Sequence, residues 1–273
     1  MKKLTKILAL SLALCMVLAL CACGGAKKEE APATDAPAEA APAEGASKGK
    51  LTMATNVDFP PYEYYDDETG EATGIDVELV KMACEKIGYE VEVVDMDFGS
   101  VVSGVATGKY DIGAGAITIT EERKQSVDFA TPYETTVQMI ITLKGSELTE
   151  GAQLEAEGAS YKIAVQQDTT GDYYASDLET AGKATVERYK SAADAVLALT
   201  SGKVDCVVVD GGPAAEFVAR DDTLTTFESA CTKEEYGFCF AKDNTELFEA
   251  FDAALKEMLA DGTVDAVFAK YKG

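Results

Sequence analysis

The chain has no histidine among its 273 residues, and that absence removes whole classes of chemistry. Serine–histidine–aspartate and cysteine–histidine triads cannot be assembled, and neither can a zinc site built on imidazole. Positive charge is also scarce: 24 lysines and arginines face 48 acids, a formal charge of −24. So acidic a chain repels phosphate, which excludes nucleic acid as a partner. There is no Gly-x-x-x-x-Gly-Lys-[Ser/Thr] phosphate loop and no Gly-x-Gly-x-x-Gly set between a strand and a helix. No Cys-x-x-Cys pair occurs, which argues against metal or dithiol redox work. Neither a metal nor a cofactor is expected. The long apolar run at residues 7–20 is too short for a comfortable membrane span.

What is present begins with an address. Lys2, Lys3 and Lys6 precede that apolar run, and Leu20-Cys21-Ala22-Cys23-Gly24 follows it. The pattern resembles a bacterial lipoprotein signal, with Leu20 at −3, Ala22 at −1 and Cys23 as the lipid-modified first residue. A plain secretory signal or an uncleaved anchor is the alternative. Removing residues 1–22, which hold three lysines and no acids, takes the charge from −24 to −27. Residues 23–49 read as a tether: 26–49 carry no aromatic or large aliphatic side chain and cannot bury a core. The folded part is therefore expected outside the cell membrane, held to it by lipid on Cys23.

From residue 51 the chain alternates. Strands are expected at 51–55, 91–97, 111–117, 137–143, 162–166, 204–210 and 236–241. Helices are expected at 74–88, 100–107, 171–181, 192–201, 245–260 and 264–270. This is an α/β pattern with a parallel-rich sheet. Residues 105–112 (VATGKYDI) echo 199–206 (LTSGKVDC): each is a helix end, a Gly-Lys turn, an aspartate and a buried strand. The echo suggests two lobes of similar build with a crevice between them. The most informative stretch is 115–133, GAITITEERKQSVDFATPY. Thr120 suits a helix N-cap, and Thr118, free backbone N–H groups and Arg123 converge in a way that suits a small carboxylate. A surface Arg123 paired with Asp128 or Glu122 is the other reading.

Several motifs in order carry a resemblance across residues 51–273. They include Phe59-Pro60-Pro61-Tyr62-Glu63, Gly74-Ile75-Asp76-Val77-Glu78-Leu79, Gly108-Lys109-Tyr110-Asp111 and Ile117-Thr118-Ile119-Thr120-Glu121-Glu122-Arg123. Val127-Asp128-Phe129-Ala130-Thr131-Pro132-Tyr133 and Val165-Gln166-Gln167-Asp168-Thr169-Thr170-Gly171 continue the series. The chain resembles the extracytoplasmic solute-binding proteins, family 3, of polar amino-acid ABC transporters. The resemblance implies a two-lobed periplasmic-binding-protein fold of type II. Residues 50–135 and 237–273 would form lobe 1 and residues 136–236 lobe 2, with hinges near 134–139 and 232–237.

In that family's terms Arg123 would hold the ligand α-carboxylate, with Thr118 and the backbone of Ala116 assisting. Thr169 and Thr170 would add to it from lobe 2. Asp210 would accept from the α-ammonium; by its position, capping the helix before Pro213 is its alternative use. Phe59 and Phe98 would be aromatic walls, although core packing is the common fate of a phenylalanine. Asn56 and Gln166 would read the ligand side chain. Both are neutral, and Asn56 stands where relatives often carry an acid, so a glutamine-like or sulfur-containing amino acid is expected. Asp168 replaces a common glycine and is expected to face solvent.

Binding by lobe closure, not catalysis, is expected, with delivery of the amino acid to a membrane permease and its ATPase by a monomer. Two alternatives stand beside this: a binder of another small carboxylate such as an opine or keto acid, and a cyclohexadienyl-dehydratase-like enzyme. Cys84 and Cys206 read as buried thiols. Cys231 and Cys239 are expected to be free, with a bridge between them as the alternative.

Overall fold

The computed structural model describes residues 47–229, 231 and 233–272. The expected signal peptide, Cys23 and the tether up to residue 46 lie outside the described residues, as does Thr232 at one expected hinge.

Two five-stranded sheets share one plan. The first runs Glu90–Asp95, Lys50–Thr55, Ile112–Gly113, Cys239–Ala241, Val127–Phe129. The second runs Ala184–Tyr189, Tyr161–Gln166, Cys206–Asp210, Gln138–Leu143, Leu224–Glu228. In each, the first three strands are parallel and the fourth is antiparallel to both its neighbours. The fourth strand of either sheet arrives only after the chain has crossed from the other lobe. The crossings, Glu134–Thr136 and Glu234–Tyr236, pair with each other antiparallel.

Local sequence explains the central elements. Cys206–Asp210 is buried at every position and rich in valine, as suits a strand enclosed on both faces. Helix Ile75–Lys86 buries Val77, Leu79, Val80, Ala83 and Cys84 on one side and packs on helices Thr245–Ala260 and Thr263–Lys272.

The 105–112 and 199–206 echo is a shared hydrogen-bonding device. Gly108 and Gly202 both sit at φ 69 and close the ends of their helices. Asp111 then accepts from the Thr52 N–H, and Asp205 from the Lys162 N–H, each at 2.8 Å. Each aspartate thus fastens the start of its strand to the next.

Two expected strands are shorter than the apolar pattern suggested. That at 111–117 stops at Gly113, because Gly115 and Ala116 turn at φ 134 and 48. Both amides donate to Asp76 Oδ2, at 2.9 and 2.8 Å. The strand expected at 236–241 divides into Glu234–Tyr236 and Cys239–Ala241, a crossing piece and a sheet piece. Four cysteines among the described residues are free thiols, with Cys84, Cys206 and Cys239 buried.

Candidate functional site

The site forms where the parallel strands of both sheets end, the place at which diverging backbones leave a crevice. From the first sheet, Asn56 follows Lys50–Thr55, Ala116 follows Ile112–Gly113, and Phe98 opens the turn Phe98–Ser100. From the second, Gln166 and Asp210 are the last residues of their strands, and Thr170 begins a helix. With Phe59, Glu63, Gly115, Thr118, Arg123 and Thr169 they line a single cleft. All ten side chains singled out as ligand contacts line this one cleft.

Arg123 is only 8% exposed. Its N–H donates to Thr120 Oγ1 at 3.1 Å, so Thr120 caps the turn Arg123–Gln125 that carries it. The guanidinium donates to the Thr118 carbonyl at 2.8 Å and, across the cleft, to the Asp168 carbonyl at 3.2 Å. It also lies 5.5 Å from the Phe98 ring centre, within cation–π range. The surface pairing left open by the sequence does not form, since Asp128 pairs with Lys242 instead.

Asp210 occupies the N-cap position of helix Gly211–Arg220 yet makes no side-chain cap bond. Its Oδ1 accepts from Gln138 Nε2 at 2.6 Å. Burial, with the Glu234 carboxylate nearby, pushes Asp210 up to about 7. Arg123 and Asp210 are thus a buried cation and a buried acid in one small chamber, the complement of a zwitterion.

Four hydroxyl or amide roles implied by the family resemblance need correction. The Ala116 N–H is committed to Asp76, so it cannot assist a carboxylate. Thr169 Oγ1 accepts from the Asp172 N–H at 3.2 Å and donates to the Gln166 carbonyl at 2.8 Å; it caps its helix. The Thr118 and Thr170 hydroxyls both donate to Glu234 Oε2, at 2.8 Å each. A hydroxyl has one proton to give, so neither has one left for a ligand carboxylate.

At the other end, Gln166 Nε2 reaches across the cleft to Asn56 Oδ1 at 2.8 Å. The Asp168 carboxylate stays outside the chamber, meeting Gln167 Nε2 at 3.2 Å and lying against Gly99 of the other lobe. An exposed ion pair between Lys190 and Asp97 also spans the mouth at 2.9 Å. Such a pair contributes little.

Glu63 lines the chamber without having been assigned a role from the sequence. It is 1% exposed, and its Oε2 has no hydrogen-bond partner among the described residues. Burial, then the charges of Asp76 and Asp210, hold its carboxyl well above the usual carboxylate range. Gln138 and Glu234 were missed altogether. Glu63 was within reach, as the last residue of a quoted motif. Glu234 had no local signal, because a glutamate in a Glu-Glu-Tyr crossing strand reads as solvated.

Residues 51–273 match the family of bacterial extracellular solute-binding proteins, family 3. The chain is 30% identical over 268 residues, 97% of each chain, to the arginine-binding extracellular protein ArtP of Bacillus subtilis (strain 168). It is also similar to two solved structures. An ancestral arginine-binding protein bound to arginine superposes with a TM-score of 0.77 at 32% identity, over 83% of this chain and 99% of that one. An ancestral arginine-binding protein bound to glutamine does so with a TM-score of 0.75 at 33% identity, over 82% and 98%.

Proposed function

The chain belongs to the bacterial extracellular solute-binding proteins, family 3, and we propose that it captures an α-amino acid in the cleft and delivers it to an ABC-transporter permease. The observation that carries this reading is that Arg123 and Asp210, both buried, line one chamber. The guanidinium has more N–H groups than its two carbonyl bonds use, and these take the α-carboxylate. The N–H groups of Thr170 and Gly171, in the first turn of their helix, favour the same anion. The α-ammonium goes to Asp210, with the Thr118 hydroxyl as a second acceptor.

Phe59 and Phe98 are the walls, and Asn56 and Gln166 face the ligand side chain. Both are amides, so a neutral polar ligand of the glutamine or sulfur-containing kind is favoured. Glutamine bound to an ancestral relative supports that class, and arginine bound to another keeps the cationic class in view. Residues 50–135 and 237–273 would move as one lobe and 136–236 as the other, turning about the paired crossings. Cys23 carries the lipid that keeps the monomer beside its permease.

The test is a thermal-shift screen of the ligand-stripped protein against the common amino acids, cystine, keto acids and prephenate. A ligand at a hundredfold excess over its Kd stabilises the folded state by about 2.7 kcal/mol. Shifts confined to one or a few amino acids and absent in Asp210→Ala support the reading. A keto acid or prephenate as the sole hit overturns it.

A further inference from the structure

The assignments above leave over a half-buried polar cluster behind the chamber, centred on Glu234. Its Oε2 accepts from Thr118 of one lobe at 2.8 Å and from Thr170 of the other at 2.8 Å. The Gln138 amide stands 3.4 Å from the same oxygen. That amide gives its hydrogens to better-placed acceptors, Asp210 Oδ1 at 2.6 Å and Thr170 Oγ1 at 3.1 Å. Every proton in the cluster therefore points towards an acid or along the chain of bonds that ends on one. What Thr118 turns to the chamber is lone pairs.

We propose that Glu234 is a positioning residue: by taking the Thr118 proton it fixes that hydroxyl as an acceptor, and so makes the chamber prefer a 2-amino acid over the matching 2-oxo acid. This rests on the reading of the cleft as an α-amino-acid site. An ammonium brings three donors, and Asp210 and Thr118 are two acceptors that can take them. A 2-oxo carbon brings only another acceptor, which would face those lone pairs and leave both groups unpaired in a buried site. Sites built around a ligand hydrogen bond reject the analogue that lacks it far more strongly than apolar pockets reject a missing methylene. Glu234→Leu removes the acceptor of the Thr118 proton. The hydroxyl proton is then free to turn to the chamber, where it suits a ketone and opposes an ammonium.

The experiment is calorimetric titration of the ligand-stripped, full-length protein with three pairs. They are L-methionine and 4-methylthio-2-oxobutanoate, L-arginine and 5-guanidino-2-oxopentanoate, and L-glutamine and 2-oxoglutaramate. For whichever amino acid binds, the protein should prefer it over its 2-oxo partner by roughly a hundredfold or more. Glu234→Leu should cut that preference by about tenfold or more, chiefly by weakening the amino acid. In a Thr118→Val background the same change should move the preference by less than about twofold, since Glu234 acts through that hydroxyl.

An unchanged preference in Glu234→Leu overturns the proposal, and so does an equal loss in the Thr118→Val background. Should Glu234→Leu fail to melt cooperatively, Thr118→Val alone decides: a preference within about twofold of the parent protein overturns it. Amino-acid binding without the expected selectivity defeats this inference and leaves the proposed function standing. No binding by any of the three amino acids, with none in the wider thermal screen, defeats both.

Discussion

Asp210 is an N-cap residue whose side chain caps nothing, and that local anomaly has thermodynamic weight. Its carboxyl titrates at about 7 in the folded chain, against 3.8 for a free aspartate, so the protonated form favours folding. The contribution is whole below about pH 4 and is lost as the pH rises through 7. Ligand-free Asp210→Asn should therefore melt higher than the parent protein at pH 8, with the gap narrowing towards pH 4, while amino-acid binding disappears. Melting curves at both pH values check this; an Asn variant that is less stable at pH 8 contradicts it. Binding has the opposite sign, because the ligand ammonium selects the ionised acid. Affinity should rise with pH, by at most about tenfold per unit, and level off above 7. Calorimetry between pH 5.5 and 8.5 reads this directly. Arg123 makes a simpler case. Arg123→Ala should cost roughly 2–5 kcal/mol of binding, 30-fold or more in Kd. Arg123→Lys should not restore it, since a point ammonium cannot reproduce the planar fork held against Phe98.

At the scale of elements, what could be read early was what buries itself symmetrically. Cys206–Asp210 and Tyr161–Gln166 announce themselves by continuous apolar character, and Thr245–Ala260 by a helical stripe. Ala184–Tyr189 and Leu224–Glu228 escaped because they are sheet edges, half-exposed and rich in threonine and charge. Helix Gly211–Arg220 escaped because it opens Gly-Gly-Pro, a turn by composition. The break after Gly113 depends on Asp76, about forty residues earlier in the chain, which no local window contains. The chamber followed the same division. Groups at strand ends were recognisable, while the acid that accepts from the Thr118 and Thr170 hydroxyls, Glu234, arrives on a crossing. The paired Gly-Lys turns are open to a direct test. Gly202→Ala meets no atom but must adopt φ 69, so it should cost about 1–2 kcal/mol in urea unfolding. Amino-acid affinity should stay unchanged, since the turn lies at the far end of its strand from the chamber.

At the scale of the whole molecule, several contacts draw the lobes together. Arg123 reaches Asp168, Gln166 reaches Asn56, and Tyr62 of one lobe packs on Gly212 of the other. A methyl group at 212 would stand 2.7 Å from the Tyr62 ring, which is fully buried and cannot swing away. Gly212→Ala should therefore hold the lobes ajar, enlarging the radius of gyration in X-ray scattering and weakening ligand binding while each lobe stays folded. Unaltered scattering together with unaltered affinity would contradict this. The exchanged fourth strands carry a different consequence, one of timing. As the chain emerges from its N-terminus, the first sheet can form only an incomplete edge, because Cys239–Ala241, which joins Ile112–Gly113 to Val127–Phe129, is still to come. All five strands of the second sheet lie between residues 138 and 228 and are available sooner. The lobe that begins first is the one finished last, and until residue 241 appears it waits with its fourth strand missing.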